Sequence, residues 1–149
     1  KAFAYEYTGY LANIHSVTSY FNANIDMLDS QKFYSLFSPN QKIYTKVKNE
    51  EPTYYAVGSK VSNAQFASGS IIEGEVSGSV ISRNTRIKKG SRVKNSILFP
   101  RVLIGENAVV EYAILDKGVE VAENVTVRGT VDNPVVLKKG EKVTEDRIQ

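Results

Sequence analysis

From Ile81 onward the large aliphatic residues return every 17 positions. Ile81, Leu98 and Leu115 form one series, Ile87, Ile104 and Val121 a second, and Val93, Val110 and Val127 a third. Within each unit the steps are six, six and five, which fit no helical period of about 3.5 or 3.6 residues. Strand side chains alternate, so the residue two places before each large aliphatic points the same way. Those places hold Ser79, Ser96 and Ala113, then Thr85, Val102 and Val119, then Ser91, Ala108 and Val125. Small or β-branched residues at these corners let the chain turn inside a narrow prism. The pattern predicts a solenoid with three short strands per coil around a triangular cross-section. Coils would stack about 4.8 Å apart, like residue above like. A shortened first coil runs through Phe66, Ile72 and Val76. A further step of 17 from Leu115 lands on Asp132, with Pro134 close behind, so the regular stack should end there and residues 135–149 should finish or cap it.

The region before the repeat patterns differently. Phe3, Tyr5 and Tyr7 alternate with Ala4, Glu6 and Thr8 ahead of Gly9, which predicts a strand over residues 1–10. Ser16 suits the cap of a helix running to about Leu28, with Val17, Tyr20, Phe21, Ile25 and Leu28 on one apolar stripe. Asp29 or Ser30 opens a second short helix carrying Phe33, Leu36 and Phe37, which Pro39 helps to end. Residues 40–60 show no periodicity and read as an extended connector laid over a surface. These divisions give three parts: 1–38, a linker at 39–60, and the solenoid at 61–149.

Outward positions carry the remaining signals. Val80, Ile97 and Ile114 each precede an inward aliphatic and so stack as an apolar strip on the outside, with Val109 a further outward aliphatic. Such a strip is either covered by the connector or a docking surface for another domain or subunit. Lys94, Glu111 and Arg128 stack with alternating sign, and Lys89 sits one coil from Glu106, both consistent with the register. Arg83, Arg86, Lys88, Lys89, Arg92 and Lys94 crowd six positive charges into twelve residues. They form either a solvated outer face or a patch for an anion such as a phosphorylated sugar, or for a partner subunit.

Composition narrows the function classes. The net charge of +3 is modest, and no aromatic-plus-basic RNA signature accompanies it, so nucleic acid is not expected. Cysteine is absent, which removes disulfides and thiolate metal sites and fits a reducing cytoplasm. No apolar run is long enough to span a membrane, and the N-terminus has no signal-peptide core. Lys1 in place of an initiator Met suggests a piece of a longer chain. His15 is the sole histidine. Solenoid acyltransferases need a histidine base and a solenoid carbonic anhydrase needs histidine ligands, so neither activity is expected. His15 itself reads as a surface or packing residue. Asn13 alone reads as a turn residue.

The hexad style of VLIGENAVVEYAIL resembles the left-handed parallel β-helix of hexapeptide-repeat proteins; the resemblance, not the spacing, implies the hand. YEYTGYLANIHSVTSYFNANIDMLD resembles the C-terminal edge of sugar nucleotidyltransferase catalytic domains, where a GYWxDVGT-type turn leads into a helix. QKIYTKVKNEEPTYYAVGSKVSNAQFASGSIIEGEVSGSVI resembles the linker and first coils of bacterial glucose-1-phosphate adenylyltransferases, and GYLANIHSV their GlgD-type subunits. The fold class implied is mainly β, a left-handed β-helix preceded by a strand-helix segment of a nucleotidyltransferase domain. The resemblance further implies a GlgC-type catalytic partner, a role in glycogen synthesis, and Mg²⁺ for the whole enzyme, with none expected in this region. Leu11, Asn13 and His15 replace the family's Trp, Asp and Gly. That Asp helps hold the Mg²⁺, and an amide is a weaker ligand for a hard cation than a carboxylate. Asn13 is thus implied to be a degenerate metal position. The expectation is a regulatory and assembly region, not catalytic alone. The alternatives are part of a fully catalytic subunit, or a free-standing β-helical interaction module.

Overall fold

The computed structural model describes residues 1–38, 40, 43–45 and 48–149. Pro39 and part of the connector, which figure in the sequence reading, lie outside the described residues. Among the described residues two short helices come first, α1 (Val17–Asp26) and α2 (Ser30–Leu36). Ser16 caps α1 in a reciprocal pair with Ser19, and the Asp29 carboxylate caps α2 by accepting from the Gln31 and Lys32 amides. Both starts agree with the sequence reading.

Among the described residues seventeen strands follow, sorted into three parallel sheets that form the faces of a prism. The first face holds β1 (Tyr54–Tyr55), β4 (Ile71–Ile72), β7 (Arg86–Ile87), β10 (Leu103–Ile104), β13 (Glu120–Val121) and β16 (Lys142–Val143). The second holds β2 (Lys60–Ser62), β5 (Glu75–Ser77), β8 (Arg92–Lys94), β11 (Val109–Glu111), β14 (Thr126–Arg128) and β17 (Arg147–Ile148). The third holds β3 (Gln65–Phe66), β6 (Val80–Ile81), β9 (Ile97–Leu98), β12 (Ala113–Leu115) and β15 (Val135–Leu137). Partners stand 17 residues apart through the middle, as with Ile87, Ile104 and Val121. Near the start one coil is two residues shorter, pairing Phe66 with Ile81 and Ile72 with Ile87 at a step of 15. This is a parallel β-helix.

Its core is the column set read from the sequence: Ile72, Ile81, Ile87, Leu98, Ile104 and Leu115 are fully buried. The small corner residues are inside as well. Ser79 and Ser96 each donate to a carbonyl of their own coil, Ser77 and Lys94 respectively, at 2.8 Å. Each also accepts an amide from the coil above, Ser96 N at 3.0 Å and Ala113 N at 3.2 Å. No buried side-chain polar atom among the described residues is left unpaired. At the outer corners, Gly69, Gly78 and Gly90 have positive φ, and each lies one coil below an asparagine whose side-chain oxygen fills the space a Cβ would need.

Two features depart from the sequence reading. Residues 1–10 form no strand, and Phe3 and Tyr5 are exposed. A strand needs a ladder partner, and none of the described residues supplies one. The stack also begins earlier than expected, since β1 falls inside the stretch read as linker. The 17-residue period ends near Asp132, and residues 135–149 finish the stack. Five extra residues are absorbed before β15, whose Leu137 pairs with Leu115, and β16 and β17 complete the last coil on the other two faces.

Candidate functional site

The most distinctive surface lies on the third face, where α1 crosses the outward strip. Strand alternation turns Ile97 and Ile114 away from the prism core, yet they are only 3% and 6% exposed. They form a second apolar cluster with Phe21 of α1, itself 2% exposed, flanked by Tyr20, Ile25, Phe99 and Tyr112. Val80 is half-buried on the same column, and Val136 continues it into exposed surface. The helix is pinned at both ends. Thr18 Oγ1 donates to the Asp132 carbonyl at 3.0 Å, and Gln65 Nε2 donates to the Met27 carbonyl at 2.8 Å. The sequence offered the apolar stripe of the helix and the strip on the solenoid separately; only folding put one on the other.

Beside this contact a cleft of about 740 Å³ opens between the start of α1 and the third face. Ile14, Val17, Tyr20, Phe99, Ile114 and Val136 line it, with His15, Asp116 and Lys138 also on its wall. The incoming chain is held by Tyr10, whose hydroxyl donates to Asp26 Oδ2 at 3.0 Å. The other oxygen of Asp26 pairs with Lys32 at 2.5 Å. Desolvation first, then the bond to Asp26, raises the Tyr10 pKa. Its link to Asp26 therefore persists below the ordinary tyrosine range and is lost as pH rises through the raised value.

Asn13 is exposed, and its backbone carbonyl lies 3.2 Å from His15 Nδ1, which donates when that nitrogen carries the proton. Among the described residues no cluster of three His, Asp or Glu side chains is placed to hold a metal. These residues do not by themselves fit Mg²⁺, whose sites draw on carboxylate oxygens.

The basic run does not gather on one surface. Arg86 stands on the first face, Arg92 and Lys94 on the second, with Lys88 and Lys89 exposed at the corner between them. Arg83 faces Glu50 at 3.9 Å, and Arg92 faces Glu75 at 3.5 Å. Glu75 also accepts from Lys60 at 2.8 Å; that bond, more than Arg92, lowers its pKa. Arg86, Lys88 and Lys89 keep their charge toward solvent.

Three parallel ladders of two- and three-residue strands, with small residues at the corners, define a hexapeptide-repeat β-helix domain. Residues 45–146 match the family model described as GlmU-like, C-terminal hexapeptide, and the chain belongs to that family, as a C-terminal domain of the GlgD and glucose-1-phosphate adenylyltransferase kind. It is 39% identical over 136 residues to the glycogen biosynthesis protein GlgD of Bacillus subtilis, covering 91% of this chain and 40% of that protein. It is 32% identical over 143 residues to glucose-1-phosphate adenylyltransferases of Bacillus mycoides and Bacillus anthracis, covering 95% of this chain and 38% of each. The chain thus spans well under half the length of these relatives. No helix among the described residues is long and apolar enough to cross a membrane.

Proposed function

We propose that this chain is the regulatory and assembly region of a glucose-1-phosphate adenylyltransferase subunit acting in glycogen synthesis in the cytoplasm. The whole enzyme joins ATP and glucose 1-phosphate to give ADP-glucose and pyrophosphate, with Mg²⁺ holding the nucleotide phosphates. Residues 1–38 are the edge of the catalytic part, and the strip of Val80, Ile97 and Ile114 is the joint through which that part rests on the β-helix. What supports this is the burial of Phe21 of α1 against Ile97 and Ile114. A GlgC-type subunit supplies catalysis, because Asn13 offers an amide where the resemblance implies a metal carboxylate. Arg86, Lys88 and Lys89 are the exposed cations for a phosphorylated-sugar effector, while Arg83 and Arg92 already face carboxylates.

The test is an assay of the full-length subunit with ATP, Mg²⁺ and glucose 1-phosphate, alone and with its GlgC-type partner. Alone it should turn over at under a hundredth of a typical enzyme's rate of about 10 s⁻¹. Turnover near that rate would overturn the regulatory reading.

A further inference from the structure

Helix α1 ends on a carboxylate. Asp26 stands in its last turn, where a negative charge meets the negative end of the helix dipole, and no basic residue in that turn offsets it. Helix formation therefore gives no reason for an acid here. Both of its oxygens are nevertheless engaged. One accepts from the Tyr10 hydroxyl at 3.0 Å and the other pairs with Lys32 at 2.5 Å. Asp26 thus joins three segments: the incoming chain, the end of α1 and the start of α2.

The incoming segment is also fixed at the opposite end of the same helix. Ser19 Oγ accepts from the His15 amide at 3.0 Å and from the Ser16 amide at 2.8 Å. The six residue steps from Tyr10 to Ser16 reach about 20 Å when extended. The ten residues of α1 span about 15 Å. Residues 10–16 belong to no helix or strand, and they run back along α1 as a strap anchored at both ends of it. The helix cannot follow a drifting strap, because Phe21 and Thr18 hold it to the β-helix and Gln65 grips the Met27 carbonyl next to Asp26. Between the two anchors Leu11, Asn13 and Ile14 are exposed.

We propose that α1 is a splint for residues 10–16, and that Asp26 is the positioning residue that keeps them stretched along it. Seated on the third face, the helix passes the position of the β-helix to the strap, and Leu11, Asn13 and Ile14 are presented at a fixed place. Without the Tyr10 anchor the segment would be held only at His15 and Ser16, and nothing regular would order the rest of it. The inference rests on the proposed function only for the meaning of Asn13, where the resemblance implies a metal carboxylate in catalytic relatives. The support of that position is retained in this chain although the carboxylate is not.

Nitrogen-15 relaxation of the 149-residue chain reads the strap directly. The amides of Leu11–Ile14 should show order parameters near the rigid value of about 0.85. Tyr10→Phe removes one hydroxyl and leaves the ring, so it should fold as the parent does and drop those order parameters below about 0.6. Asp26→Ala should do the same, and Asp26→Asn, which keeps an acceptor oxygen, should recover part of the loss. In all three variants α1 should keep its protection from hydrogen exchange. Phe21→Ala, which frees the splint itself, should slacken strap and helix together. A strap already mobile in the parent, a strap unchanged by Tyr10→Phe, or one that loses order in Tyr10→Phe only along with α1 would each overturn the inference. The regulatory reading is judged separately, by turnover of the full-length subunit, so the two can fail independently.

Discussion

At the scale of single residues, the prism is held by what each position puts inside a narrow triangle. Ile104 is fully buried between Ile87 below and Val121 above. Ile104→Asp would place a carboxylate there with no partner, at a cost comparable with a small domain's whole stability of about 5–15 kcal/mol. The expected outcome is loss of the cooperative melt by circular dichroism; an unchanged melt would mean that the register is wrong. Ser79 and Ser96 show the opposite case. Both hydroxyls are buried, and both use donor and acceptor to tie one coil to the next. Two corner residues strain against this economy. Arg101 and Tyr112 hold positive φ of 63° and 49° where the other coils place Gly or Asn. Tyr112 is packed against the α1 cluster. Nothing comparable accounts for Arg101.

At the scale of elements, α1 is too short to be stable in water by itself, since isolated helices of fewer than about 12–15 residues are marginal. Docking supplies what propensity does not. Phe21→Ala should remove about 3–5 kcal/mol from the contact with Ile97 and Ile114. Hydrogen exchange should then lose protection across Val17–Asp26 while the coils from β4 to β14 keep theirs. Ile97→Ser with Ile114→Ser should release the same helix from the other side, and adding Phe21→Ala should cost little more, because all three changes break one contact. Full protection of α1 in either variant would show that the Thr18 and Gln65 hydrogen bonds hold it instead.

At the scale of the whole molecule, stability is close to a sum over neighbouring coils, so the fold should tolerate changes that preserve the stacking register. Thr130–Pro134 accounts for the step of 22 between Leu115 and Leu137. Deleting these five residues would return β15 and β16 to the 17-residue period. The variant should remain folded, with a melting temperature within a few degrees of the parent, the main local loss being the Thr18 bond to Asp132. Collapse of the cooperative melt would show that the insertion shapes the last coil. The third face also carries a helix from an earlier part of the chain.

The columns of the prism were legible because strand alternation and a fixed coil length leave only one way to bury Ile81, Leu98 and Leu115 together. The helix starts at Ser16 and Asp29 were legible because capping is local chemistry. The missing strand at residues 1–10 was not, because a strand exists only with a partner, and alternation cannot say whether one is present. Nor was the split of the basic run legible. Six charges close in sequence are carried round a corner of the prism, and that separation depends on where the turn falls. The cover over Ile97 and Ile114 lay furthest from view. Phe21 meets isoleucines 76 and 93 positions further along the sequence, and no local rule links it to either. The sequence by itself determined the repeat, its register and its core, which are set by neighbours a coil apart. Only the tertiary structure decided which outward surfaces were closed and which stayed open, because burial is a property of the packed molecule and of no single segment.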